Sequence, residues 1–581
     1  MKMNFNIKVL WSGLVATSLV TGLSFARDRK PQNEAASKVS SVKDAKESKD
    51  EEPGLISKIF EFHPPSLEAI AAKLGYTDVE VAKKEGKIFF ERVQAGYLPN
   101  TWAERCKSGE YSVGLCVEME DYFGPKMSSG ASPKSRRVHI ALTPKNAAKL
   151  QHEDFQGLIN AMPKWNLKTM KALGDAGLKQ SGCPRNLSLA LAVSVERLLS
   201  DSKAYDQMSL WLAHGIECIT PKDPHSELIL LRAALFKIAK SQNADALPLL
   251  ERALESESHR EEPRVLYWAW KMARELGKPD LTAKYYERMI TAFPSAWHSI
   301  LAQTQMGDDP MKFFDENKPY PDTDISGDPV FDRRFLWLQL MLKLDLPTQK
   351  LVRYGEFVES SLPLKGPPGS IQYFSRVAES ATLYRLQILA LSSLLQERPR
   401  AFTRISMKLL YPRPYLEDFI AQTSGEVDLA VLFALARQES SFNIGAISGA
   451  NARGLFQVLP STARSVNRQA QLSNHVHNIQ VGAKYFQQLA KMFEGSVEKS
   501  LASYNAGPGS MRQWESRYGF VAFSNSEPQL FVDLIPYRET RDYVSAILRN
   551  AYWYHRLYPE FGDSLRPETY TSELLQRALK K

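Results

Sequence analysis

This sequence predicts an all-α chain, an α-solenoid leading into a smaller helical domain, and three observations point there. Apolar residues recur at helical spacing through most of residues 55–400, and no segment alternates convincingly as a strand does. The periodic segments come in pairs of about 35 residues with Pro and Gly at the breaks, as stacked helical repeats require. At 581 residues the chain is also too long for one ordinary core.

The order along the chain begins with an export signal. Lys2 and Lys8 form a positive start, residues 9–25 are apolar, and Ser24-Phe25-Ala26 offers small residues at both positions read by a signal peptidase. Residues 1–26 are therefore expected to be a signal peptide cleaved after Ala26. An uncleaved membrane anchor competes, because the apolar stretch is nearly long enough to span. No Cys closes the run to carry a lipid, and nothing later is long and apolar enough to cross a membrane. Residues 27–54, rich in Lys, Glu, Asp and Ser, have little to bury and read as a disordered charged linker.

Residues 55–325 read as the solenoid. Helices are expected at 187–199, 209–218 and 226–239, and the clearest run is 244–303. There Ala246-Leu247-Pro248-Leu249-Leu250 opens one helix and 265–276 forms the next. After the Gly277-Lys278-Pro279 break a third follows at 281–293, closed by Pro294. Trp, Tyr and Ala at packing positions make these pairs resemble tetratricopeptide-type repeats, loosely. Trp268, Trp270 and Trp297 are expected in the solenoid core rather than as a stacking platform. Residues 306–328, rich in Asp, Pro and Gly, read as a long connection. Helices at 331–344 and 377–394 then belong to a helical linker domain, 326–410. Tyr411-Pro412-Arg413-Pro414-Tyr415 opens the last domain, 411–581, in which Asp428 is placed to cap a helix over 429–439.

Composition narrows the functions. A net charge of +9 favours loose attraction to a polyanion, but no dense Lys/Arg block with interleaved aromatics appears, which disfavours nucleic acid. Cys106, Cys116, Cys183 and Cys218 fit an oxidising compartment. Pairing by proximity gives Cys106–Cys116 and Cys183–Cys218, three connectivities being possible, with four unpaired thiols as the bland alternative. The spacings lack the close pair a zinc site wants. His475-Val476-His477 reads as a solvated loop without metal partners, and neither a phosphate loop nor a Gly-x-Ser-x-Gly elbow occurs. No metal and no cofactor are expected.

One carboxyl stands apart. Glu439 ends an apolar helical run, and the next acidic residue is Glu494. Leu432, Leu435 and Ala436 lie seven, four and three residues before it and share its helix face. Burial against them disfavours the charged form, and a carboxyl kept protonated can donate to a glycosidic oxygen. A helix-ending Glu exposed to water is the commoner fate, so its neighbours must decide.

Those neighbours are Arg437-Gln438-Glu439-Ser440-Ser441-Phe442-Asn443, then Gly454-Leu455-Phe456-Gln457-Val458-Leu459-Pro460-Ser461-Thr462-Ala463. Ser503-Tyr504-Asn505-Ala506-Gly507-Pro508-Gly509 with Trp514 follows, and then Ile535-Pro536-Tyr537-Arg538-Glu539-Thr540-Arg541-Asp542-Tyr543-Val544. In this order the four stretches resemble the successive motifs of soluble lytic murein transglycosylases. The resemblance is strong over 411–558, fainter in the helical middle, and gives nothing for 56–180. It implies a lysozyme-like α-helical domain and peptidoglycan glycan strands as substrate; the signal peptide makes the expected location periplasmic, and the solenoid is expected to position glycan strands or cell-wall enzymes. Glu439 would be the single catalytic acid/base. Ser448 would bond the substrate's N-acetyl group or position Glu439, and Gln457 and Tyr504 would line the cleft. Thr462 and Glu539 would contact saccharide or peptide, and Asn505 would be a supporting donor. The bland alternatives are an exposed amide for Gln457, a core aromatic for Tyr504 and an ion pair with Arg541 for Glu539.

Two departures from the family pattern are visible. Asn451-Ala452 stands where Gly-Ala is usual, and Asn is among the residues that best tolerate a left-handed backbone. Phe456 and Leu459 replace methionines, apolar for apolar. Ordinary glycosidases need two carboxylates, about 5–5.5 Å or about 6.5–9.5 Å apart. With none between Glu439 and Gln457, the family's reaction is expected, in which the sugar's own C6 hydroxyl closes a 1,6-anhydro ring. A hydrolytic muramidase on the same fold and an inactive peptidoglycan-binding scaffold are the alternatives.

Overall fold

The computed structural model describes residues 64–127, 216–222, 226–315, 324–423, 427–518 and 527–562, apart from a few single positions. The signal peptide, the charged linker, the helix at 187–199, most of that at 209–218, and Cys183 lie outside the described residues. Among the described residues every regular element is helical, and pairing of extended backbone is confined to two isolated bridges, Ile447 with Arg453 and Arg453 with Val458.

Among the described residues four helices come first: α1 (Leu67–Lys73), α2 (Val79–Ala95), α3 (Trp102–Lys107) and α4 (Val113–Met127). Ser66 and Asp78 cap the first two by accepting from backbone amides of the opening turn, worth about 1 kcal/mol each. Cys106 and Cys116 form a disulfide that closes the α3–α4 corner, where Trp102 stacks on Tyr111.

The solenoid run follows as α5 (Ser226–Ala239), α6 (Asn243–Leu254), α7 (Glu262–Glu275), α8 (Pro279–Ala292) and α9 (Trp297–Met306). Successive helices pack on each other, and Trp268, Trp270 and Trp297 are buried. Helix α6 begins three residues before the expected opening, so Pro248 lies inside it and forgoes one backbone hydrogen bond. The expected 306–328 connection contains a helical turn, α10 (Lys312–Asp315), because Phe314 is drawn into an aromatic cluster with Phe402 and Trp553.

Next come α11 (Pro329–Leu342), α12 (Val352–Glu359), α13 (Pro368–Ser380), α14 (Tyr384–Glu397) and α15 (Arg404–Leu410). The single helix expected over 377–394 is two. Thr382 adopts a left-handed φ of 58° and the Leu383 amide donates back to Ala378, reversing the chain so that α13 and α14 pack side by side. Helices α11 and α12 pack back on α2 and α4: Phe89 packs edge-on against Trp337 and Tyr354, and buried Glu118 accepts from Arg333 and Tyr354 at 2.9 Å each.

The last part comprises α16 (Leu416–Gln422), α17 (Leu429–Ser440), α18 (Pro460–Val466), α19 (His475–Met492), α20 (Val497–Ala506), α21 (Pro508–Tyr518), α22 (Pro528–Leu534) and α23 (Arg538–Leu557). Helices α17 and α23 run antiparallel in contact, while α5 packs on α22 and α9 on α23. The His475-Val476-His477 segment is not a loop. Asn474 caps it as the start of α19, His475 stacks on Tyr415, and its Nε2 lies 3.0 Å from Asp418.

Opening the disulfide should loosen the first helices. A loop of this length (sequence separation 10) restricts the unfolded chain enough to stabilise by about 2.5–3 kcal/mol. Replacing Cys106 with Ser is expected to remove about that much, read from urea unfolding followed through Trp102.

Candidate active site

Helix α17 is built to bury everything but its last turn. Asp428 accepts from the amides of Ala430 (2.8 Å) and Val431 (3.1 Å) and lies 3.1 Å from His555 Nε2, near the far end of α23. Residues 430–437 are buried, including Leu432, Leu435 and Ala436 beneath Glu439. The helix then stops abruptly. Ser441 (φ 50°) and Phe442 (φ 61°) are both left-handed, a conformation costing about 1–3 kcal/mol per non-glycine residue. Burial of the Phe442 ring and a 2.8 Å contact from the Ser440 hydroxyl to the Leu455 carbonyl oppose that strain.

Glu439 remains partly open to solvent, yet protein surrounds its carboxyl closely. Burial pushes it up to about 8, against which a hydrogen bond from Tyr543 pulls down, while the charge of Glu539 pushes further up. The Tyr543 hydroxyl donates to Glu439 Oε1 at 2.5 Å. Tyr504 and Tyr543 are held well above the usual phenol range, first by burial and then by the charge of Glu439. Tyr485 adds to both and packs against Tyr504 with ring centroids 5.3 Å apart.

The loop after α17 forms the neighbouring wall. Asn451 takes a φ of 66°, the left-handed turn its amide tolerates. Gly454 has a φ of +74°, and a Cβ there would lie 2.2 Å from Asn478 Nδ2. That fully buried amide ties the loop down: Oδ1 accepts from the Phe456 amide (2.9 Å), and Nδ2 donates to the carbonyls of Arg453 (2.9 Å) and Leu472 (3.0 Å). The Phe456 ring lies on Gly482, where a Cβ would approach within 2.3 Å.

The sequence-expected residues divide by place. Tyr504 and Glu539 stand near enough to couple to the Glu439 charge. The Asn505 amide donates to Glu539, opposing burial, which raises that carboxyl, and its oxygen accepts from Thr540 at 2.7 Å. Glu539 makes no ion pair with Arg541, whose Nη1 donates to the Ile535 carbonyl. Tyr504 donates to the Phe456 carbonyl (2.8 Å), and Gln457 Nε2 donates to the carbonyls of Ala446 (3.1 Å) and Gly454 (3.0 Å), so both hold the loop. Ser448 faces its own turn, accepting from the Ala452 amide at 3.0 Å, and makes no hydrogen bond with Glu439. Thr462 sits half-buried on α18, its carbonyl accepting from Ser465. Sequence reasoning assigned no role to Tyr543 or Tyr485. A signal existed for Tyr543, which falls four residues after Glu539 and so on the same helix face.

Residues 419–526 match the family model described as the Transglycosylase SLT domain. The soluble lytic murein transglycosylase of Escherichia coli strain K12 is 34% identical over 148 residues, 24% of this chain and 22% of the relative. A putative soluble lytic murein transglycosylase of Haemophilus influenzae is 32% identical over 188 residues, 31% and 30% of the two chains. These matches span less than a third of the curated relatives' length. Among solved structures, the 70 kDa soluble lytic transglycosylase SLT70 of Escherichia coli superposes with a TM-score of 0.52 at 16% identity, covering 89% of this chain and 77% of that one. The complex of a 70 kDa soluble lytic transglycosylase with bulgecin A gives 0.51. At such identity the likeness is one of fold.

The raised Glu439 carboxyl fixes the sign of two outcomes. Its contribution to stability is fully present below the ordinary value near 4.5 and is lost as pH rises through about 8. A Glu439→Gln variant should therefore gain melting temperature over the parent at pH 9 and less, or none, at pH 5; equal shifts at both would mean the carboxyl is not desolvated. Tyr543→Phe removes the bond that favours the charged form, so Glu439 should titrate above about 8 in a carboxyl-labelled NMR titration.

Proposed function

We propose that this chain, whose residues 419–526 match the Transglycosylase SLT domain, is a lytic transglycosylase. It would cleave peptidoglycan between N-acetylmuramic acid and N-acetylglucosamine and leave a 1,6-anhydro end. The observation that carries this reading is Glu439, a carboxyl raised to about 8 and ringed by Tyr543, Tyr504 and Glu539.

Tyr543 donates to Oε1, which leaves Oε2 to hold the acidic proton. That proton passes to the glycosidic oxygen as its bond to C1 of the muramic sugar breaks. The neighbouring 2-acetamido oxygen bonds to C1 and carries the developing positive charge. The C6 hydroxyl oxygen then attacks C1 and displaces the acetamido oxygen, while the Glu439 carboxylate takes the hydroxyl proton and is restored as an acid. The attack is intramolecular, so effective concentration replaces the recruitment of water. Tyr543 steadies the carboxylate between the two steps, and the Glu539 charge keeps Glu439 protonated before the first. Ser448, Gln457, Thr462, Tyr504, Asn505 and Glu539 are proposed to contact the glycan or its peptide.

Residues 411–581 are assigned to the catalytic domain, with the solenoid at 55–325 and the linker helices at 326–410 guiding glycan strands or partner enzymes to it. A periplasmic site of action after removal of residues 1–26 accords with the Cys106–Cys116 disulfide. Purified protein incubated with murein sacculi should release anhydro-ended muropeptides by mass spectrometry. Glu439→Gln should lower that release by about 10²–10⁴-fold. Reducing ends would instead identify a hydrolase, and no release at all a binding scaffold.

A further inference from the structure

At the junction between the solenoid and the catalytic helices lies a buried polar cluster that the reaction itself does not use. Asp533, fully buried in α22, accepts from Arg264 Nε (2.6 Å), Trp268 Nε1 (2.8 Å) and Gln529 Nε2 (2.9 Å), with His298 Nε2 at 3.1 Å. Burial alone would raise its carboxyl, but His298 and Arg264 hold it well below the usual range. From α5, buried Arg232 donates to the carbonyls of Asp533 (2.6 Å) and Ile535 (2.9 Å), and from α23 Arg541 donates to Ile535 at 3.0 Å. Arg538, the first residue of α23, lies 3.5 Å from Glu261 of the solenoid. Most of these contacts fall on residues 533–538, the turn that sets where α23 begins, and Arg264 Nη2 also reaches Asp542, one turn into α23, at 3.3 Å. The next turns of α23 carry Glu539 and Tyr543.

We propose that Arg232 and Arg264 are positioning residues for the reaction: by clamping the 533–535 turn, they fix how far Tyr543 and Glu539 of α23 reach toward Glu439. This rests on the transglycosylase reading above. The groups coupled to Glu439 are Tyr543 and Glu539 from α23, Tyr504 from α20 and, through the two tyrosines, Tyr485 from α19. Only the α23 pair would move with the clamp. A displacement of under 1 Å stretches the Tyr543 bond, and a loss of about tenfold sits below the roughly 10²-fold that a full 1 Å misplacement can cost.

The test uses the full chain and soluble, uncross-linked murein strands, counting anhydro ends. Arg232→Lys keeps the charge but can no longer serve both carbonyls. It should lower kcat about tenfold with KM within about twofold, and move the basic limb of the pH profile upward, as Tyr543→Phe does. Placed in the Tyr543→Phe background, it should lower kcat less than about threefold further. Trp268→Phe, which removes one donor to Asp533, should show the same pattern more weakly and stands in if Arg232→Lys does not fold. A full multiplicative loss in the double variant, or an unmoved basic limb, overturns the proposal and leaves the cluster as mere scaffolding. Absence of anhydro ends from the parent protein would instead overturn the functional reading.

Discussion

A carboxyl placed where water cannot fully solvate it is the constraint on which this structure depends. Glu439 sits at the end of a helix whose every preceding turn is buried, so the neutral form is favoured by its surroundings. Left alone, such a group would hold its proton too tightly to give it up readily. The Tyr543 hydroxyl opposes the bias by bonding Oε1. The balance between an apolar floor and one phenol places the titration near neutrality, where one group can both give and take a proton. The surrounding devices keep that balance steady. Asp428 fixes the start of α17, two left-handed residues end it, and the Asn478 amide holds the opposite loop.

What the sequence made legible was local. The Asp428 cap, the apolar face under Glu439, the left-handed Asn451 and the Cys106–Cys116 pair each depend on residues within about a dozen positions. Hidden features depend on distance or on competition. Tyr543 and Glu539 reach Glu439 from about a hundred residues downstream, and no spacing rule reports that a distant helix will run antiparallel to α17. Glu539 acts there through its charge, which raises the Glu439 carboxyl, and Glu439 stays the single acid/base. The break at Thr382 escaped because apolar periodicity continues across it; only the backbone at that residue reverses the chain. Phe314 formed a helical turn inside an apparent linker because an aromatic pocket awaited its ring.

The solenoid and the catalytic helices share polar as well as apolar contacts. Trp268 and Trp297 belong to the solenoid core, yet their indole nitrogens donate to Asp533 and Gln529 of α22. Buried ionic contacts of this kind add little net stability, since desolvation offsets most of the attraction. They are, however, severe about geometry, because a displaced partner leaves a charge unpaired. Helices α11 and α12 show the same habit at the other end, gripping Glu118 and Phe89 more than two hundred residues earlier.

The two carbonyls that receive the Arg232 guanidinium lie 301 and 303 residues further along the chain. A chain made from its N-terminus therefore carries this cation, still hydrated, through the synthesis of everything between. Contacts so distant in sequence close slowly and late. The helices that bracket the acid reach their final register only when the polypeptide has come round on itself. A chain cut short of α23 would lack Tyr543 and Glu539, and Glu439 would lose the two groups on that helix that set its proton affinity.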